Sequence, residues 1–102
     1  MGKKYKLVFS SHFYQELSEI ILYINTELKN LIAANRLLDK IEKKIYDTLE
    51  NPLICTANIT RAGNIYYRVN VNNYCIFYTV DKDTMVVRRI IYAKRDIEFL
   101  VN

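Results

Sequence analysis

The apolar residues of this chain change period once, and that change bounds what it can fold into. From Phe13 to Leu49 they recur every three or four positions; from Ile65 to Tyr92 they fall in short β-branched and aromatic runs broken by turn residues. The first spacing lays a stripe along a helix, and the second alternates across a strand. Helices therefore come first and strands afterwards, the order of an α+β domain rather than of an alternating α/β unit.

Within the helical part, Phe13, Leu17, Ile20, Ile21, Ile24 and Leu28 form one stripe, and Ser10 or Ser11 can cap its start. Lys29-Asn30 breaks the pattern, with Asn30 a good cap for a second helix. Its stripe runs through Ile32, Ala34, Leu37, Leu38, Ile41, Ile45 and Leu49, while Glu42, Lys43, Asp47 and Glu50 lie mainly off it. Asn51-Pro52 ends it, because Pro disfavours the helical region for the residue before it. So short a connection makes an antiparallel hairpin the natural geometry. YKLVF (5–9) reads as an edge or near-edge strand with Tyr5, Leu7 and Phe9 on one face.

Residues 53–63 carry no regular pattern and read as irregular. Three strands follow at 65–71, 74–80 and 85–92, joined by Asn72-Asn73 and by Asp81-Lys82-Asp83. Alternation sets Ile65, Tyr67, Val69 and Val71 against Tyr66, Arg68 and Asn70, and sets Tyr74, Ile76, Tyr78 and Val80 against Cys75, Phe77 and Thr79. The expectation is a two-layer domain. One face of a mostly antiparallel sheet is buried under the hairpin, and the other is left open to carry Arg68 and part of a basic cluster.

At 102 residues the chain is a single domain, 1–102. It contains no apolar run near the ~20 residues that span a bilayer, so no membrane partner is expected. MGKKYKLVFSS does not read as a secretory signal and the Met-Gly start lacks a hydroxyl residue at Lys6, which leaves the cytoplasm as the expected compartment. Two cysteines, Cys55 and Cys75, and one histidine, His12, are too few for a zinc site. No metal or cofactor is expected; the two thiols read as free and at least half-buried, with a single disulfide the alternative. His12 beside a helix start reads as a surface or local hydrogen-bonding residue. The net charge of +4 is unevenly spread. Residues 61–95 hold seven Lys/Arg against Asp81 and Asp83, or +5; the remainder holds eight against nine, or −1. Such asymmetry suits a polyanion or an acidic protein as partner.

The cations concentrate in RRIIYAKRD (88–96), where Arg88, Arg89, Lys94 and Arg95 surround Ile90, Ile91 and Tyr92. Two readings stand side by side. Cations blunt a sheet edge against aggregation; alternatively, arginine forks hold a phosphate or carboxylate by two bonds. Tyr92 likewise either caps the core or, with its phenolate stabilised by nearby cations, moves a proton.

Strand, helical hairpin, Asn-Pro stop, meander and basic end together resemble the RelE/ParE family of toxins from bacterial type II toxin–antitoxin modules. The resemblance rests on LSEIILYI, AANRLLDKIEKKIYDTLENP, NNYCIFYTVD and RRIIYAKRD, the last two being the specific parts. It implies a small cytoplasmic toxin neutralised by a cognate, acidic, partly disordered antitoxin. RelE-like members cut messenger RNA on the translating ribosome without metal; ParE-like members inhibit DNA gyrase. Arg89, Lys94-Arg95 and Asp96 match the family pattern, and Tyr92 stands where many relatives carry His. Cys75 occupies the place of the RelE-like arginine, and Asp96, Ile97, Glu98 and Phe99 offer no counterpart to the terminal Tyr of those nucleases. Arg68 is the candidate replacement cation from the neighbouring strand. The hairpin's A-x-x-L-L-x-x-I pattern at 34–41 is closer to the ParE-like branch. The resemblance thus implies a gyrase-directed toxin with Arg68, Arg88, Arg89, Lys94 and Arg95 facing its target. The alternatives are a ribosome-dependent endoribonuclease using Arg89, Tyr92 and Arg95, or a non-toxic relative that only binds antitoxin.

Overall fold

A computed structural model of the chain describes residues 4–54, 56–59 and 63–93, the segment 56–59 by its backbone alone. Strand β1 (Lys6–Phe9) leads into helix α1 (Ser11–Thr26), which is followed by helix α2 (Leu31–Leu49) and a 3₁₀ turn, Pro52–Ile54. Strands β2 (Thr56–Ile59), β3 (Ile65–Val71), β4 (Tyr74–Asp81) and β5 (Thr84–Tyr92) complete the order. The strands form one sheet in the order β1-β5-β4-β3-β2, with β1 parallel to β5 and the remaining pairs antiparallel. The expected α+β architecture is thus observed.

Both helices start where the sequence places caps. The Ser10 hydroxyl accepts from the Phe13 N–H at 3.2 Å, and the Asn30 side chain accepts from the Ala33 N–H at 3.0 Å, each satisfying a first-turn donor. Between the helices, Lys29 takes a left-handed conformation (φ 49°), which turns the chain back on itself. The apolar stripes are shorter than the spacing implies. Leu28 lies past the last helical residue, and Ile32 sits in the first turn of α2; both are exposed. At this end of the hairpin the stripes run on beyond the area the sheet can cover.

The core lies between hairpin and sheet. Phe13, Ile24, Ala34, Leu37, Ile41 and Ile45 meet Val69, Val71, Ile76, Tyr78, Met85, Val87 and Ile90. Burial of each large side chain is worth roughly 1.5–3 kcal/mol. Tyr78 is fully buried, and its hydroxyl donates to the Pro52 carbonyl, tying the 3₁₀ turn to the middle of the sheet. Its ring stacks on Tyr67 of β3 with centroids 5.4 Å apart.

Two expectations are corrected. The segment read as irregular contains β2, which pairs with Ile65–Arg68 of β3; four residues are too few for a two-residue period to show. The second sheet face is also not bare. Cys75, Phe77 and Ile91 are buried there as a second small cluster, with Tyr66 packed against it. Cys75 is a free thiol. Three apolar side chains in adjacent register positions remove each other's surface from water, which alternation alone cannot reveal.

The register contains one irregularity. Tyr78 pairs with Val87 but Phe77 with Arg89, leaving Arg88 without a partner across β4. This extra residue shifts the parity of β5: Met85 and Val87 face the helices before it, and Ile90 faces them after it. Without the bulge, Arg89 would point into the core.

Candidate functional site

The bulge divides β5 into two stretches with different neighbours. Up to Val87, its outer edge is paired with β1. There Ser10 closes the ladder: its N–H donates to the Val87 carbonyl at 2.9 Å and its hydroxyl donates to the Arg88 carbonyl at 2.7 Å. The chain then turns into α1, so residues 89–92 have α1 beside them instead of a strand.

Glu16 of α1 fills that place. Its carboxylate accepts from Arg89 Nε at 2.9 Å and from Nη2 at 2.6 Å, a fork-on-carboxylate pair. The same carboxylate accepts the Ile90 backbone N–H at 3.1 Å, satisfying an edge donor that β1 no longer reaches. Both side chains are about four-fifths covered. One carboxylate thus fixes α1 to β5 and neutralises Arg89.

Beside this clamp runs an open groove of about 780 Å³ between α1 and the ends of β4 and β5. Ile20, Leu28 and Ile90 give it apolar walls, and Glu19, Tyr23, Tyr74 and Tyr92 give it polar tips. Tyr74 and Tyr92 are register partners whose rings meet edge to face, centroids 5.5 Å apart. Burial raises the Tyr74 phenol above its ordinary pKa, and the neighbouring Tyr92 and Tyr23 add to the effect.

The residues singled out by sequence do not form one cluster on an open face. Arg89 lines the groove and is bound to Glu16. Tyr92 lines the same groove against Tyr74. Arg88 is exposed and its Nε donates to Thr79 Oγ1 at 3.0 Å. Arg68 belongs to the register row Arg68–Phe77–Arg89, which crosses three strands on the second face. Lys94 and Arg95 lie outside the described residues. Cys75 is buried two positions from Phe77 in the second cluster. His12 is exposed.

Sequence reading missed Glu16, Glu19, Tyr23 and Tyr74 as site residues. A signal for Glu16 existed: it stands between Phe13 and Ile20 on the buried side of the first helix, where an unpaired carboxylate would be costly. Among the described residues no group of His, Cys, Asp and Glu could hold a metal ion, and no helix is long and apolar enough to cross a membrane.

With this geometry in place, comparison with known proteins is informative. No curated protein sequence matches the chain. Among solved structures, one described as the chromosomal ParDE TA system from P. aeruginosa superposes with TM-score 0.71 at 10% identity, covering 89% of this chain and 98% of that one. The isolated E. coli RelE toxin superposes with TM-score 0.59 at 20% identity, covering 93% and 90%. A chain of the toxin–antitoxin complex RelBE2 from Mycobacterium tuberculosis superposes with TM-score 0.56 at 16% identity, covering 87% and 98%. At such identities the likeness establishes the fold alone. A family model described as the ParE toxin of type II toxin–antitoxin systems matches residues 7–97, nearly the whole chain. The chain belongs to the ParE toxin family of type II toxin–antitoxin systems.

Proposed function

We propose that this chain is a growth-inhibiting toxin that acts by binding DNA gyrase rather than by cutting RNA, and that a cognate antitoxin neutralises it. One observation carries the choice of binding over cleavage: Arg89, the described cation that best matches the nuclease pattern, is held in a two-bond pair by Glu16. A guanidinium neutralised this way is poorly placed to stabilise the added charge of a phosphoryl transition state. The neighbouring position that nuclease relatives fill with arginine is Cys75, a buried thiol that cannot bind phosphate. The family match supports the same branch. The antitoxin partner follows from the family and from the ParDE and RelBE2 systems among the structural neighbours.

A second reading draws on the row Arg68–Phe77–Arg89, which gives two arginines register positions on either side of Phe77 on one sheet face. In that reading Arg68 supplies the missing cation of a ribosome-dependent endoribonuclease. Purified protein tested against gyrase and against ribosome-bound messenger separates the two. The expected result is inhibited supercoiling with intact messenger. Transcripts cut at codon boundaries while supercoiling proceeds normally would overturn the gyrase reading.

A further inference from the structure

Three tyrosines enter the groove from three elements: Tyr23 from α1, Tyr74 from β4 and Tyr92 from β5. The rings of Tyr74 and Tyr92 meet edge to face with centroids 5.5 Å apart, and Tyr23 lines the same groove from the helix side. Glu19, one helical turn before Tyr23, lines the same groove. Unlike Glu16 it has no cationic partner among the described residues. Aromatic faces carry negative potential, and a carboxylate beside them adds a full negative charge; together they suit a cation shed of part of its water.

A metal ion is a poor fit. Hard cations need six to eight oxygen ligands or near-ideal octahedral geometry, and one carboxylate with neutral phenols supplies neither. The groove is also far larger than an ion, and its Ile20, Leu28 and Ile90 walls call for apolar groups on either side of the charge. An extended backbone has somewhere to lie as well. The Ala93 N–H donates to the Asn73 carbonyl, so by alternation the backbone groups of Tyr92 point away from β4. No described strand pairs with that edge beyond Phe9. Past the Ile90 N–H that Glu16 already satisfies, an edge with no partner strand among the described residues lies beside an apolar groove and can accept a strand from another chain.

We propose that this groove takes an extended segment of a partner protein and seats a Lys or Arg side chain among Tyr23, Tyr74 and Tyr92 against Glu19. The identification of that partner with the antitoxin rests on the toxin reading above; the cation requirement does not. An antitoxin acidic overall therefore carries a basic residue flanked by apolar ones where it crosses this groove. The two scales of charge do different work: the net +4 of the chain attracts an acidic partner at a distance, and Glu19 selects a cation at contact.

The test is a nuclear magnetic resonance titration of the full chain with two synthetic peptides of sequence acetyl-Val-Leu-Xaa-Leu-Val-amide, with Xaa either lysine or its uncharged isostere norleucine. The lysine peptide binds about tenfold more tightly, the span of a partly desolvated cation–π contact, and shifts the ring resonances of Tyr23, Tyr74 and Tyr92. In Glu19→Gln, an exposed substitution that leaves the core untouched, the preference collapses towards equality. Equal affinities, no binding of the lysine peptide, or a preference unchanged in Glu19→Gln would each overturn the proposal. The titration involves neither gyrase nor growth, so its failure leaves the gyrase reading standing, and a negative gyrase assay leaves the peptide preference standing.

Discussion

The two halves of β5, Thr-Met-Val-Val and Arg-Ile-Ile-Tyr, both read as β-branched strand on paper, yet they serve opposite ends. Thr84–Val87 lies between β1 and β4, with Met85 and Val87 at zero exposure. Among the described residues Arg89–Tyr92 is paired on one side only, and its other edge faces a helix and a groove. A single unpaired residue, Arg88, separates them. The first half is satisfied by the sheet; the second has Glu16 as the acceptor for its outward Ile90 N–H. A bulge thus converts one strand from scaffold into site without a change of chain direction.

The comparison can be broken most severely in the first half. Met85→Ala should cost about 2–5 kcal/mol through lost burial and the cavity it leaves, seen as a lower urea midpoint. On the gyrase reading, inhibition of supercoiling below the melting temperature should stay near wild type. If Met85→Ala instead removed inhibition at unchanged stability, the first half would not be pure scaffold.

In the second half the largest effect should come from Glu16→Ala. It removes the carboxylate that holds Arg89 and accepts the Ile90 N–H, at a cost of about 2–4 kcal/mol. A double-mutant cycle with Arg89→Ala sharpens this prediction. The pair should show a coupling of about 1–3 kcal/mol, whereas additive losses would mean that the clamp contributes nothing beyond its separate parts.

Arg88→Ala should have the smallest effect, a stability change within about 0.5 kcal/mol by thermal melting, because the side chain is exposed and its one described hydrogen bond goes to Thr79. On the gyrase reading, loss of inhibition in that stable variant would mark the bulge residue as a target contact. A large loss of stability would show that the bulge depends on its side chain.

Much of the fold was legible. The change of period separated helices from strands, Ser10 and Asn30 announced the helix starts, and Asn51-Pro52 announced the stop. The faces of β3 and β4 followed from alternation, and Tyr78, Val69 and Ile76 are buried where it placed them. The strand β2 was missed because four residues carry too little periodic signal. The bulge left a trace that plain alternation overlooks: the buried positions Met85, Val87 and Ile90 change parity across Arg88-Arg89. The site was less legible still. Arg89 looked like a cation awaiting an anion from outside, but its anion is Glu16, 73 residues earlier in the chain.

By itself, the sequence determined the layers, the caps, the turns and the family resemblance, because each depends on residues close together along the chain or on a pattern repeated within it. Only the tertiary structure decided which cation is already neutralised, which face is buried a second time, and that tyrosines from α1, β4 and β5 line one groove. Those outcomes depend on register and on contacts between distant segments, and a one-residue bulge is enough to reverse them.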